Sequence, residues 1–305
     1  MKKIGNLLFV VIFLVVLVSA CTPAQPVTNV PVTSVPPTSV LPTSVPPTSV
    51  PPTSVPPTSA PTLWDTILQK GKIVCATSAD FPPYESKDAQ GQFVGFDMDL
   101  IREVGARLGI NVEIQDMAFD SIIASVEERK IDCSIAGIQV TPERAAKVDF
   151  TIPYKKITDA YLVTEDSPIV EINSPEETAP YKVGCQSGGG VANYMLTNMV
   201  ETGKMPADQL FQYERNDQAL LDLKIGRIDI FITHLESAAS YVIDPGGVKI
   251  VGQAPAFSGN TDMAIIVPKG ETVLVEKLNE ALQAIIDDGT RDELMVTWNI
   301  PIPEK

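Results

Sequence analysis

The chain has 305 residues, room for two domains of ordinary size, and carries 23 Lys and Arg against 38 Asp and Glu, a formal net charge of −15. So acidic a chain is unsuited to nucleic acid, whose phosphates need Lys and Arg to displace counterions. Thirteen of the 26 prolines fall between Pro23 and Pro61, and no charged residue occurs between Lys3 and Asp65, which excludes one uniform domain.

Lys2 and Lys3 precede an apolar run from Leu7 to Val18. Twelve residues of helix rise only ~18 Å, short of a ~30 Å hydrocarbon core, so the run reads as a secretory leader and not as a spanning helix. It ends in Val18-Ser19-Ala20-Cys21, which resembles a bacterial lipoprotein signal. That resemblance implies a leader over residues 1–21 and lipidation of Cys21, tethering the protein to the outer face of the cell membrane. The alternative is an ordinary signal peptide cut near Ala20. From residue 22 to 61 the chain is rich in Pro, Thr and Ser, with a Pro-Pro-Thr-Ser-Val unit recurring from Pro36 to Ala60. Proline fixes φ and removes N–H donors. The expectation is an extended stalk, at about 3.1 Å per residue able to lift the remainder of the chain by at most ~120 Å.

The 244 residues from Thr62 carry 21 basic and 38 acidic side chains, net −17, and alternate between strand and helix patterns as an α/β protein does. Lys72–Thr77 reads as a strand. Asp97 is expected to cap a helix bearing Leu100, Ile101, Val104 and Leu108 on one face and ended by Gly109. Val112–Gln115 comes next as a strand, then Asp120 as the cap of a helix over Ser121–Glu128, and Ile131–Ile138 as a buried strand. Thr141-Pro142-Glu143-Arg144 places a capping threonine before a proline at the first helical position. A second series starts with a strand over Lys182–Cys185, which runs through Ser187-Gly188-Gly189-Gly190 into a helix. A helix over Asp217–Ile225 closed by Gly226 and a strand over Ile228–Ile232 come next. A strand at Ile265–Val267, a long helix from about Val273 to Ile286 and a final helix carrying Trp298 complete the chain. Two such series imply two lobes, with ligand expected beyond the carboxyl ends of strands where helix N-termini point.

Five stretches are similar, in order, to the bacterial extracellular solute-binding proteins of the polar amino acid type that serve ABC importers. They are Ala79-Asp80-Phe81-Pro82-Pro83-Tyr84-Glu85; Val94-Gly95-Phe96-Asp97-Met98-Asp99-Leu100; Ala136 to Arg144 with Val148-Asp149-Phe150; Lys182 to Gly188; and Asp288-Gly289-Thr290 ahead of Trp298. The resemblance implies a two-lobed periplasmic-binding-protein-like fold with a hinge and central cleft. One lobe would comprise 62–155 and 265–305 and the other 156–264, with crossings near Tyr154–Thr158 and Asn260–Ala264.

It also implies a set of ligand-binding residues. Arg144, in the first turn of a helix, would hold the ligand carboxylate bidentately; the bland alternative is a surface arginine paired with Glu143 or Asp149. Phe81 and Phe119 would sandwich the ligand. Ser78, Gly137, Gln139 and Gln186 fall at further cleft positions, and Gly189 and Gly190 stand where hydroxyl side chains are usual. The chain's one histidine, His234, takes the place of an aspartate that pairs with the ligand ammonium, and a neutral imidazole is no counter-ion. Glu236 is the substitute within reach.

Cys75, Cys133 and Cys185 read as buried thiols, with a Cys75–Cys133 disulfide the alternative. Neither a cofactor nor a metal is expected. The function implied is capture of a small carboxylate-bearing solute, such as a polar amino acid, by a monomer that hands it to a membrane permease. The competing reading is an enzyme resembling cyclohexadienyl or arogenate dehydratases, with Glu236 or His234 as the acid–base group.

Overall fold

The computed structural model describes residues 60–257 and 259–302. The leader, Cys21 and the proline-rich segment as far as residue 59 lie outside the described residues. Thr62 opens the folded part by capping the helix Leu63–Lys70: its hydroxyl accepts from Asp65 N–H while the Asp65 carboxylate accepts from Thr62 N–H, a reciprocal capping box.

Beyond this helix the chain is organised by two five-stranded sheets. The first runs in the order Asn111–Asp116, Lys72–Thr77, Cys133–Ser134, Ile266–Pro268, Val148–Phe150. Its first three strands are parallel, and Ile266–Pro268 enters antiparallel from the far end of the chain. The second has the order Leu210–Tyr213, Val183–Gln186, Ile230–His234, Thr158–Thr164, Val248–Pro255. Parallel and antiparallel pairs are again mixed there. The inner strand Thr158–Thr164 is buried through its five central residues, whereas the edge strand Asn111–Asp116 alternates with a period of two. This is the pattern of a sheet covered on both faces with a half-solvated edge. Each sheet packs apolar clusters on its two sides: Ile73, Phe96, Leu278 and Ile285 in one, Phe119, Ile122 and Ile138 in its opposite, and two further clusters around the second sheet.

Between the sheets the chain forms a two-stranded ribbon in which Lys155 pairs with Met263 and Lys156 with Asp262. The ribbon lies within the two segments where the resemblance puts the crossings between lobes.

Three local expectations need correction. The helix expected to start at Asp97 is Phe96–Leu108, with Gly95 as its cap. Asp97 is fully buried inside the first turn, and its Oδ2 accepts from Gly137 N–H at 3.0 Å and from the Tyr154 hydroxyl at 2.8 Å. The next helix, Phe119–Glu127, starts one residue before Asp120 and has no side-chain cap; the Asp120 carboxylate instead accepts from the Ser187 hydroxyl at 3.1 Å. Only Cys133–Ser134 of the segment Ile131–Ile138 pairs as a strand, because the chain turns at Gly137, whose φ is +59°. Asp97 holds that turn.

Cys75 and Cys133 stand opposite each other in register, and with Cys185 they are buried free thiols. No helix of the described residues is long and apolar enough to cross a membrane.

Candidate ligand-binding site

A cavity of about 40 Å³ is lined by Phe81, Phe119, Gly137, Gln139 and Arg144 on one side, and by Gln186, Gly189, Gly190, Asn216 and His234 on the other. Gln186 and His234 end the strands Val183–Gln186 and Ile230–His234, so the cavity sits beyond strand carboxyl ends. Nine of the eleven residues expected to bind ligand meet around it. Hydrogen bonds join its walls and the space suits a few water molecules.

Arg144 is positioned by its local sequence. Thr141 Oγ1 accepts from Arg144 N–H at 3.2 Å and Pro142 fills the first position of the short helix Pro142–Ala145. The guanidinium donates from Nη1 to the Gln139 carbonyl and from Nη2 to the Gly188 carbonyl, both at 3.0 Å, and lies 5.5 Å from the Phe119 ring centroid. Asp149, one of its expected surface partners, is bound to Lys269 at 2.7 Å, and no carboxylate forms an ion pair with Arg144 among the described residues. Burial lowers its pKa to about 10, opposed by the charge of Glu143, so the cation is retained at neutral pH. Gln139 Nε2, Gln186 Nε2 and Asn216 Nδ2 are buried donors with no partner among the described residues. A buried cation beside unpaired donors is suited to an acceptor-rich ligand such as a carboxylate.

Two expected residues do not reach the cavity. Ser78 is buried and donates its hydroxyl to Asp80 Oδ1 at 2.7 Å. Glu236, on the helix Leu235–Ile243, points to the ribbon, where its Oε1 lies 2.6 Å from Lys155 Nζ. Both side chains of that pair are at least nine-tenths buried. Glu236 is thus the counter-ion of Lys155, which corrects its assignment as a substitute for the ammonium-binding aspartate.

His234 does line the cavity, with its ring in edge contact with Phe81 at 4.9 Å between centroids. Burial drives its pKa down to about 4, opposed by Glu236 and reinforced by Lys155 and Arg144. The imidazole is therefore neutral across the physiological range.

Asn216, Asp80 and Asp159 make contacts that were not expected from the sequence. Asp80 Oδ2 accepts from Asn216 N–H at 2.5 Å, and the Tyr241 hydroxyl donates to the Asp80 carbonyl at 3.3 Å, bonds that join the two sides of the cleft. The signal for Asn216 was present: a polar residue opens the expected helix at 217, and the observed helix is Asn216–Lys224. The Asn216 and Tyr241 partners of Asp80 and the Phe257 partner of Asp159 are distant in sequence.

The family model of bacterial extracellular solute-binding proteins, family 3, matches residues 73–300. The chain belongs to this family. It is 29% identical over 230 residues, 74% of this chain and 90% of the relative, to ABC transporter arginine-binding protein 1 of Escherichia coli (strain K12). Among solved structures, an ancestral arginine-binding protein bound to arginine matches with TM-score 0.68 and 34% identity, over 75% of this chain and 98% of that one. An ancestral amino acid-binding protein that is a precursor of cyclohexadienyl dehydratase matches with TM-score 0.67 and 29% identity, over 78% of this chain and 99% of that one. This chain is accordingly a solute-binding protein of the amino acid type.

Proposed function

We propose that this protein captures a free amino acid outside the cytoplasm by closing two lobes around it and delivers it to the membrane component of an ABC importer. Arginine is the first ligand to test. The observation that carries the reading is the buried Arg144 guanidinium, which has no carboxylate partner among the described residues and is the natural anchor for a ligand carboxylate. The remaining binding set is Phe81, Phe119, Gly137, Gln139, Gln186, Gly189, Gly190 and His234, joined by Asn216. Relatives named for arginine support the choice of ligand.

Binding is favoured over catalysis. The dehydratase alternative calls for a general acid at Glu236 or His234, yet Glu236 lies outside the cavity with its Oε1 on Lys155 and His234, with a pKa of about 4, is not the imidazolium a general acid would be. The same proposal includes lipidation at Cys21, a stalk over 22–61, lobes over 62–155 with 265–305 and over 156–264, and a monomeric state.

Isothermal titration of the purified domain, stripped of ligand by unfolding and refolding, tests the reading. Arginine or another amino acid is expected to bind with a dissociation constant in the micromolar range or below. Silence across all proteinogenic amino acids, with turnover of a cyclohexadienyl acid, overturns it.

A further inference from the structure

His234 and Asp159 stand directly opposite each other on the antiparallel strands Ile230–His234 and Thr158–Thr164. Asp159 is fully buried. Its Oδ2 accepts from Phe257 N–H at 2.8 Å, while its Oδ1 has no hydrogen-bond partner among the described residues. That Oδ1 lies 3.9 Å from His234 Nε2. The other ring nitrogen, Nδ1, is buried and equally without a partner among the described residues. Leaving such groups unpaired is costly, and an approach of about 1 Å brings Nε2 and Oδ1 to hydrogen-bond distance.

The charges around the pair decide its role. Glu236, Lys155 and Arg144 are the charged groups that act on His234, and Glu236 acts on Asp159. Glu236 and Lys155 neutralise each other in one ion pair. Arg144 is the positive end of the cavity, and of these four groups Asp159 is the carboxyl group that no Lys or Arg pairs among the described residues. It lies behind a ring that lines the same cavity as Arg144.

We propose that Asp159 and His234 together hold the ligand's α-ammonium group: Asp159 Oδ1 accepts the Nε2 proton of His234, and Nδ1 accepts an N–H from the ligand. The proposal rests on the amino acid reading above. Asp159 is a positioning residue that acts through the imidazole. It fixes the tautomer with the proton on Nε2 and supplies the counter-charge a neutral ring lacks. Burial keeps His234 neutral and raises the pKa of Asp159 to about 7, so Oδ1 accepts the Nε2 proton once the carboxylate is ionised, above about pH 7 or when an arriving ammonium favours the charged form.

Two measurements test it. Asp159→Asn is compared with wild type for L-arginine and for 5-guanidinopentanoic acid, the same molecule without its amino group. An asparagine amide donating to Nε2 would move the ring proton to Nδ1 and turn an acceptor into a donor. The substitution is expected to weaken arginine at least 30-fold and the deaminated analogue less than threefold, the unchanged analogue affinity also showing that the variant folds. Equal losses for both ligands, or no loss for arginine, overturn the proposal. The second measurement is the nitrogen-15 spectrum of the imidazole, unambiguous because the chain has one histidine. At pH 8, where Asp159 is ionised, a protonated Nε2 and bare Nδ1 are expected in the ligand-free protein, and the reverse tautomer overturns the pairing. A wild type that ignores all amino acids defeats the ligand reading, while the ligand-free spectrum still decides the pairing.

Discussion

Arg144 reaches across the cleft to Gly188, its Nη2 donating to the Gly188 carbonyl at 3.0 Å. The guanidinium that would hold the ligand thus also touches the opposite wall, at a glycine with φ +71° whose Cβ, were it present, would stand 2.9 Å from Asp120 Cβ. Losing one member of a buried charged contact costs about 2–5 kcal/mol, roughly 30-fold to several-thousand-fold in affinity. Arg144→Ala is expected to lose at least 30-fold in amino acid affinity by calorimetry with an unchanged circular dichroism spectrum. Gly188→Ala, which retains the arginine but obstructs the approach of Asp120, is expected to weaken binding about tenfold.

Asp80 acts as a latch. Its carboxylate takes the Asn216 N–H at the start of the helix Asn216–Lys224 while Ser78 holds its other oxygen. Removing a carboxylate from a helix start costs about 1 kcal/mol, and here that cost falls on the closed form. Asp80→Ala is expected to raise the dissociation constant about fivefold and to enlarge the ligand-free radius of gyration in small-angle scattering. An unchanged radius and affinity would show that the contact adds nothing to closure.

Lys155 and Glu236 form an ion pair at the ribbon, withdrawn from solvent. Breaking a buried pair by removing one partner typically costs about 3–5 kcal/mol, whereas replacing both with apolar groups costs far less. Lys155→Met and Glu236→Leu are each expected to lower the urea midpoint markedly, and the double variant to recover most of the loss. Additive losses would contradict the pairing.

Stability is expected to fall as pH rises from about 5 to 8. Burial, chiefly, raises Asp97 and Asp159 to about 7 and Glu85 well above its ordinary value. The folded chain therefore holds protons that the unfolded chain has released, and the stability these groups contribute is lost as pH climbs through their folded values. His234, lowered to about 4, works in the opposite direction but only up to its unfolded value near 6.5. It is one group against four, since burial raises Asp80 as well. Thermal melts at pH 5, 6.5 and 8 should give a descending series that flattens above about pH 7, where Asp97 and Asp159 have finished ionising, and Asp97→Asn should flatten it further.

Much of this was legible in the chain. The Thr141-Pro142-Glu143-Arg144 frame is a local code: a cap, a residue with preset φ and an arginine in the first turn, all within four positions. Local codes survive folding, and the parallel strands with their glycine-ended helices obey the same logic. Asp97 and Asp120 were misread because an acidic residue near a helix start is ambiguous locally; Gly137 and Ser187, both distant in sequence, decide what these side chains do. Glu236 failed for the same reason, since Lys155 stands 81 positions away. Asp159 was invisible because strand register alone sets it opposite His234.

The three buried thiols have a practical consequence. Cys75, Cys133 and Cys185 lie under the surface in the strands of the two sheets, and burial raises the pKa of Cys133 well above its usual value and that of Cys185 to about 12. Thiolates are the species that react with maleimides, so these positions should stay dark to such reagents in the folded domain. A dye pair installed on engineered surface cysteines, one on each side of the cleft, would then report opening and closing by energy transfer without first stripping the native sulfur from the core.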